Sequence, residues 1–386
     1  ESAKEEMERL YAASVSENAL SFVVNDATVS YAGDDYEQVL VHLYMALNYL
    51  ELGKLYDARV EALQVDIKLR EIGEKIPDSK FTEDALSRYL TGLIYEELGE
   101  WSDAMIAYRK AYEAYMKYQT NYGLAIPDIL KHDLLRVAQR QGLKDEVAHY
   151  SKEFGIELQQ EKKKSPEQEG ELVFILSNGL APIKREKVVG AWAPPPSVVM
   201  GKTKPQTSKP PPMPVLVNIA LPDYESRTNN VLRARISVSG KQTDTEMMED
   251  IDAIARASLD ARMPAITARS VARAVSKGVI QESVDKAGYM GNNDSAAQLI
   301  SSFVVRVAVV ATERADTRSW LTLPANIQMA RLSLPPGSYD VTVELLGEND
   351  QVYLKQVVPQ VSIRNSRKTY LTQHWVPDIP TTRRKK

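Results

Sequence analysis

The feature that most constrains the fold of this chain is a spacing of small and aromatic residues that occurs twice in its first half. The clearer copy has its defining positions at Gly92, Tyr95, Gly99, Ala104, Tyr108 and Ala111. An earlier copy, 46 residues upstream, has Ala46, Tyr49, Gly53 and Ala58 at the corresponding offsets. Small residues at this spacing let two helices approach closely, and glycine relieves the turn between them. The repetition predicts packed helical pairs in which Gly92, Ala104 and Ala111 are buried.

This spacing is similar to that of tetratricopeptide repeats, although the two copies are further apart than the usual period of about 34 residues. A third, degenerate copy around Gly142 would close a short array. Asp34, followed three residues later by Glu37 and then by an apolar run, predicts a capping box at a helix start. We therefore predict an all-α, tetratricopeptide-like domain of helical hairpins over residues 1–160.

Residues 161–214 interrupt the helical periodicity and predict a charged, proline-rich linker. Eight of the chain's 20 prolines lie between Pro194 and Pro214, and such runs favour extended polyproline geometry. One buried strand is predicted inside the linker, at Glu171–Leu176, followed by an Asn-Gly turn. We expect this strand to dock elsewhere, and the proline-rich stretch to be ordered by a neighbouring subunit or by the chain's own two domains.

Residues 215–386 alternate between apolar and polar side chains with a period of two, which predicts a β-rich domain. The predicted strands are Val215–Ile219, Leu232–Val238, Gln328–Leu334, Tyr339–Leu346, Val352–Val358 and Thr369–Trp375. We interpret the last four as consecutive antiparallel strands on one face of a sandwich. A helical insertion is expected around residues 247–315, although a valine-rich stretch near its end also fits a strand. The predicted fold class is α+β: a helical half followed by an antiparallel, sandwich-like half.

The sequence has few histidines, and its residues of the types that form metal or catalytic sites are not spaced as in known site motifs. The four histidines include no pair at the i,i+4 spacing of a helical zinc site, and the chain has no cysteine. The sequence Gly201-Lys202-Thr203 is not a phosphate-binding loop, because Pro196 stands where the motif requires glycine. We therefore expect no enzymatic activity, no catalytic residue, no metal and no cofactor.

Charge and hydropathy narrow the classes of partner. The formal net charge of −4 gives no reason to expect nucleic acid, whose binding proteins carry concentrated basic surfaces. No run of consecutive apolar residues in the sequence approaches the roughly 20 that a membrane-spanning helix needs. Because the chain begins at Glu1 rather than methionine, we expect a processed signal segment or a longer precursor.

Two stripes of side chains are candidates for partner binding: Arg269, Arg273 and Lys277 on one predicted helix, and Tyr108, Tyr112 and Tyr115 on another. The cationic stripe would bind an anionic partner such as a lipid headgroup or a glycan. A solvated or internally paired face is its alternative. The aromatic stripe would bind a protein, because tyrosines are favoured at interfaces. Core packing between helices is the alternative for these tyrosines.

Several blocks of sequence carry a resemblance to a known family. They are Asn18–Phe22, Gly33–Leu40, Ala46–Leu50, Gly170–Val173, Asn178–Pro182, Thr267–Arg273, Asp316–Trp320, Leu323–Ile327 and Leu334–Tyr339. Together they resemble a group of bacterial tetratricopeptide lipoproteins. The resemblance implies secretion through a lipoprotein signal, an acylated N-terminal cysteine as outer-membrane anchor, and a location facing the periplasm. This sequence has no cysteine, so the anchor residue would precede Glu1 or be absent.

These observations predict a non-enzymatic interaction scaffold of the Gram-negative cell envelope. Its expected partners are envelope proteins, with self-association into a homo-oligomer or a multi-subunit assembly, and with membrane contact only through a lipid anchor. One alternative is a repeated structural subunit of an envelope-spanning secretion or motility machine. A wall enzyme such as a glycan hydrolase is a third reading.

Asp316, Arg318 and Trp320 stand just before the C-terminal strands. An arginine and a tryptophan so close to an acid are typical of a contact between domains. We predict that Arg318 pairs with a carboxylate or a helix-end carbonyl and that this segment joins the helices to the sheet.

Overall fold

The computed structural model describes residues 2, 4–10, 30–75, 81–156, 169–193, 215–288 and 314–377. The longer helices of the first half are α1 (Asp35–Glu51), α2 (Leu55–Lys75), α3 (Ala85–Leu98), α4 (Trp101–Tyr122), α5 (Asp128–Arg140) and α6 (Lys144–Phe154). A further helix, α7 (Ile251–Gly288), lies among the strands of the second half. The chain is therefore an α+β protein. The proline-rich stretch 194–214 and residues 289–313 of the expected helical insertion lie outside the described residues.

Helix starts and turns follow from local sequence. The carboxylate of Glu37 accepts the backbone N–H of Asp34 at 3.0 Å, so the predicted capping box at the start of α1 is confirmed. Gly53 joins α1 to α2 and Gly99 joins α3 to α4, with φ of 70° and 79°. Glycine adopts this left-handed region without the steric cost that other residues incur. Each turn therefore reverses the chain so that successive helices pack together.

The small residues lie where the paired helices touch. A Cβ built at Gly92 would come within 2.4 Å of the Tyr108 ring on α4, so only glycine fits this contact between α3 and α4. Ala104 and Ala111 have no exposed surface. The predicted burial of Gly92, Ala104 and Ala111 is thus confirmed.

Ten strands are found in the described part of the chain. They are β1 (Gly170–Asn178), β2 (Ile183–Ala193), β3 (Val215–Glu225), β4 (Arg233–Val238), β5 (Lys241–Asp244), β6 (Glu246–Asp250), β7 (Asn326–Leu334), β8 (Gly337–Leu346), β9 (Val352–Ile363) and β10 (Lys368–Trp375). The inner sheet has the order β10-β1-β7-β6, and the outer sheet has the order β5-β4-β8-β9. Strands β2 and β3 pair as a separate antiparallel ribbon.

The core is built in three layers, and the alternation of side chains along β1 explains why. Leu172, Phe174 and Leu176 pack on one face with the core residues of the outer sheet. Val173 and Ile175 point to the other face and belong to the same hydrophobic cluster as the helices. Successive side chains of a strand point to opposite faces, so an apolar run buries both faces of the sheet. The inner sheet is covered by helices on one side and by the outer sheet on the other.

Two predictions about the strands need correction. Met247–Asp250 were assigned to a helix, but they form β6, which extends the inner sheet beside β7; α7 begins only at Ile251. The last four strands were predicted to be consecutive and antiparallel. β8 and β9 do pair in this way, but β7 lies in the other sheet and β10 runs parallel to β1. The physical reason is that β1 is apolar on both faces and requires a neighbour on each edge, which β7 and β10 supply.

Candidate functional site

A largely buried network of charged side chains holds the helices on the inner sheet. This central network consists of Glu96, Asp133, Arg136, Glu171, Arg331 and Lys368. The Arg331 side chain of β7 is 9% exposed and bridges Asp133 of α5 and Glu171 of β1. Lys368 of β10 lies 3.0 Å from Glu96 of α3. Both cations from the sheet are therefore paired with carboxylates from the helices.

The carboxylates of the central network are fully engaged. Burial alone would raise the pKa of Glu96, but the positive charges of Lys368 and Arg136 hold it well below its ordinary value. The Tyr108 hydroxyl also donates to Glu96 at 2.8 Å, and the Tyr89 hydroxyl donates to Asp133 at 2.7 Å. With these two tyrosine donors, the charged groups of the three acids and three cations have hydrogen-bond or ion-pair partners within the protein and need no ligand. We assign it a structural role as the joint between the two halves.

A second joint surrounds the start of α1. Lys184 of β2 and Arg262 of α7 contact the two oxygens of Asp34 at 2.5 and 3.0 Å. Burial raises the pKa of Asp34, but these two cations outweigh it and lower the pKa to about 2. The hydroxyl of Tyr36 lies 3.1 Å from that of Tyr224, which adds a contact between α1 and β3. The residue that caps α1 therefore also anchors the ribbon and α7.

The predicted junction at Arg318 and Trp320 is confirmed. The Arg318 guanidinium donates to Asp316 at 2.9 and 2.8 Å and lies over the Tyr31 ring, 5.0 Å from its centroid. The backbone N–H of Trp320 donates to Glu37 at 2.7 Å. This segment ties the approach to β7 to the first turn of α1.

A pair of buried acids lies between α3, α4 and β6. Asp84 accepts the backbone N–H of Ser87 at 2.7 Å, and Glu249 accepts the Tyr118 hydroxyl at 2.9 Å. Both carboxyl groups are fully buried, and burial raises the pKa of each. One oxygen of each has no hydrogen-bond partner within the described structure. A buried carboxyl without a cation is most stable in its neutral form, so Glu249 is expected to carry a proton.

A cleft of about 680 Å³ opens where the α1–α2 and α3–α4 turns face the loop between β9 and β10. Its apolar lining comes from Leu50, Leu55, Leu98 and Tyr370. Three exposed cations line it as well: Lys54, Arg364 and Arg367. Three acids, Glu51, Asp57 and Glu97, line it too, so the cleft combines apolar surface with charges of both signs, and its exposed cations come from both halves of the molecule.

One acid of the cleft, Glu97, is partly neutralised by its surroundings. Burial raises the pKa of Glu97, and Lys368 acts in the opposite direction. The Tyr370 hydroxyl donates to Glu97 at 3.4 Å, and an Arg367 nitrogen lies 3.5 Å from the Glu97 carbonyl oxygen. Lys54 and Arg364 lie on facing turns. A peptide segment with a carboxylate and apolar side chains has the chemistry to bind here.

The predicted aromatic stripe is part of the core. Tyr108 and Tyr115 have no exposed surface, and Tyr112 is 8% exposed. The Tyr108 hydroxyl donates to Glu96, and the Tyr115 hydroxyl donates to the Met248 carbonyl. The Tyr112 hydroxyl donates to Glu153. Side chains so deeply buried cannot contact a partner protein. The candidate assignment of Tyr108, Tyr112 and Tyr115 as a binding surface is therefore corrected to core packing.

The predicted cationic stripe is not continuous on the surface. Arg273 is 3% exposed and donates to Ser270 at 3.2 Å, while Arg269 is partly buried and donates to the Ala265 carbonyl at 3.4 Å. The Lys277 side chain lies outside the described residues. Arg273 is thus held within the fold, since α7 packs against β2, β3 and α1.

Sequence reasoning missed the cleft because its residues lie in turns and at the ends of helices and strands. The signal was available at Arg364, Arg367 and Lys368, three cations within five positions between two predicted strands. Periodicity identifies strands and helices but does not show which turns meet in space.

Among the described residues, no group of three or more histidine and carboxylate side chains has an arrangement that would hold a metal ion. In the same ranges, no helix combines the length and apolar character needed to cross a bilayer. In comparisons with known proteins, no family model matches this chain, and no match is found among curated proteins or solved structures.

Proposed function

We propose that this protein is a non-enzymatic scaffold of the Gram-negative cell envelope that binds a protein partner in the cleft. The observation that carries the proposal is the make-up of the cleft, in which turns from both halves of the chain present three exposed cations beside apolar side chains. The partner it suits best is an extended protein segment with acidic and apolar residues.

The rigidity of the cleft supports a binding role. Lys368 lines the cleft and is also paired with Glu96 in the central network, so the buried joint fixes one wall of the cleft. The opposite wall contains Gly53, in the tight turn between α1 and α2, and Leu98, which directly precedes the turn between α3 and α4. A preformed site loses less conformational entropy on binding than a site that must be ordered first.

The envelope location rests on the resemblance of sequence blocks in both halves to bacterial tetratricopeptide lipoproteins. On the same basis we propose the tetratricopeptide character of the helical pairs, a periplasm-facing position at the outer membrane and membrane contact through a lipid anchor. The sandwich-like character of the two sheets is likewise a proposal, supported by the apolar cluster that they share.

Photo-crosslinking in living cells tests the proposal. A photoreactive amino acid replaces Lys54 in one variant and Arg364 in another, and both are expected to capture the same envelope protein. In the variant with the photoreactive amino acid at position 54, the double charge reversal Arg364→Glu with Arg367→Glu should reduce that captured product at least tenfold. Lys144→Glu, an exposed change on α6 outside the cleft, should leave it unchanged. Absence of a common product, or a yield that ignores charge reversal, would contradict the proposal.

The second candidate function is a repeated structural subunit of an envelope machine. It is favoured by an apolar stripe on the outer face of α2, formed by Tyr56, Val60, Leu63 and Ile67, each at least 41% exposed. A subunit of a ring or sheath should form large oligomers of defined size. Mass measurement of the purified chain would separate this candidate from a scaffold that remains small.

A further inference from the structure

Helix α2 carries two apolar faces, and only one of them packs into its own fold. Ala58, Val65 and Leu69 are on the buried face, each with at most 4% exposure. The α2 stripe of Tyr56, Val60, Leu63 and Ile67 is 65, 53, 41 and 41% exposed. At 100° per residue, the stripe lies on the side of the helix opposite to the buried face. Ordinary surface helices have one apolar face, so a second face points to a second contact.

The spacing of the α2 stripe is that of a helix-to-helix seam. Its residues follow one another at intervals of four, three and four, which are the d, a, d and a positions of a heptad repeat. Val60 and Ile67 occupy the a positions, and Tyr56 and Leu63 occupy the d positions. This spacing favours another helix as the partner at this face.

The charges beside the α2 stripe specify which helix. One flank carries Arg59 and Asp66, and the other carries Asp57, Gln64 and Glu71. In a parallel pair the opposite flanks meet, which brings Asp66 of one copy near Glu71 of the other. In an antiparallel pair related by a twofold axis, Val60 faces Leu63 of the second copy. The flank that carries Arg59 and Asp66 then lies beside the same flank of the second copy. Arg59 of each copy then lies beside Asp66 of the other, so the surface is complementary to itself.

We propose that the α2 stripe is the interface of an antiparallel homodimer. Arg59 lies 3.2 Å from Glu100, and Asp66 lies 3.2 Å from Arg88, within one chain. The dimer joins these pairs into alternating charges across the interface. The four side chains expose on the order of 400 Å² per copy, less than the ~800 Å² per partner of a standard interface, so we expect micromolar affinity. Tyr56 also lines the cleft, so the two surfaces adjoin; Leu63 is not part of the cleft lining, and a test at Leu63 therefore separates this inference from the function proposed for the cleft.

Sedimentation analysis of the full chain between 1 and 100 μM, on the order of the expected dissociation constant, tests the dimer. We expect a monomer–dimer equilibrium that Leu63→Glu weakens at least tenfold. Ile106→Glu is the matched control, because Ile106 on α4 is 47% exposed and lies outside the stripe. It should leave the equilibrium unchanged, and circular dichroism verifies that both variants are folded. A chain that stays monomeric overturns the proposal and assigns the stripe to a different partner. Equal weakening by both variants also overturns it.

Disulfide crosslinking tests the orientation, which is practical because the natural chain has no cysteine. Val60→Cys and Leu63→Cys proteins are oxidised separately and as a mixture. The antiparallel register predicts that mixed crosslinks exceed the two homodimeric ones by at least fivefold. Predominance of the homodimeric crosslinks indicates the parallel arrangement and overturns the antiparallel one.

Discussion

At the scale of single residues, the contact between Gly92 and Tyr108 explains why the repeat pattern could be found in the sequence. The pattern records a steric requirement: the Tyr108 ring occupies the space that any side chain at 92 would need. Such requirements restrict residue type strongly, and they can therefore be predicted without a structure. The pairing of Arg331 with Asp133 leaves no comparable local pattern, because its partners are distant in the sequence.

Gly92→Ala tests this close approach. The added methyl group overlaps the Tyr108 ring, so we expect a loss of about 1–3 kcal/mol in the free energy of unfolding. Gly73→Ala in α2 is the control, because a Cβ there meets nothing within 4 Å. That change should stabilise the protein by about 0.5–1 kcal/mol through helix propensity. Urea denaturation measures both, and a neutral Gly92→Ala variant would contradict the packing described.

Glu249 leads to a prediction about pH. Its folded pKa is raised by burial, so between the ordinary pKa and the raised value the folded state binds more protons than the unfolded state. Stability must therefore fall as the pH rises through this window. Glu249→Gln removes the titration and keeps the shape, and we expect it to be more stable than the natural chain at pH 8 by about 1–3 kcal/mol.

The measurement compares the free energy of unfolding at pH 5 and pH 8. The advantage of Glu249→Gln should be larger at pH 8 than at pH 5. Glu113→Gln, at an exposed position of α4, should show no such difference. An advantage that does not grow with pH would mean that Glu249 is ionised in the folded protein.

At the scale of helices and strands, the sequence predicted most elements but not how they are arranged. Periodicity located α1 to α6 and the strands β1, β3, β4 and β7 to β10, because it reflects which side of each element is buried. It missed β2, which lies in the region predicted to be a linker with a single strand, and it missed β5. It also missed β6, since Met247 and the residues after it also fit the first turn of a helix. It could not show that β10 lies parallel to β1, because strand order depends on contacts between distant segments.

The joint between helices and sheet can be tested at Arg331. Arg331→Met removes the cation and leaves Asp133 and Glu171 buried without their main partner. Breaking a buried pair in this way should cost about 3–5 kcal/mol. Arg185→Met removes an exposed pair with Glu225, where the arginine side chain is 63% exposed, and should cost less than about 1 kcal/mol. Similar losses in the two variants would show that the central network is not a stabilising joint.

At the scale of the whole molecule, the shared core has a consequence for unfolding. One hydrophobic cluster includes α1 to α6 and also Val173, Ile175, Ile327 and Met329 of the inner sheet. The two halves should therefore unfold together, although the sequence divides into a helical and a β-rich region.

Urea unfolding followed with two probes tests this cooperativity. Far-ultraviolet circular dichroism reports mainly on the helices, and hydrogen exchange resolved by segment reports on the inner sheet. We expect the same midpoint for both, and Arg331→Met should lower both midpoints equally. An inner sheet that outlasts the helices would show that the halves are independent units.

The position of β10 bears on how the chain is made. Leu172 of β1 pairs with Thr369 of β10, so a strand produced midway through synthesis waits for one produced near its end. Until then, one edge of the apolar strand β1 has unpaired backbone N–H and C=O groups, which makes it a site for mispairing with other nascent chains. The helical pairs depend on local contacts and are free to form earlier. A nascent chain that ends before β10 would have its helices formed, but β1 would lack one of its two neighbouring strands.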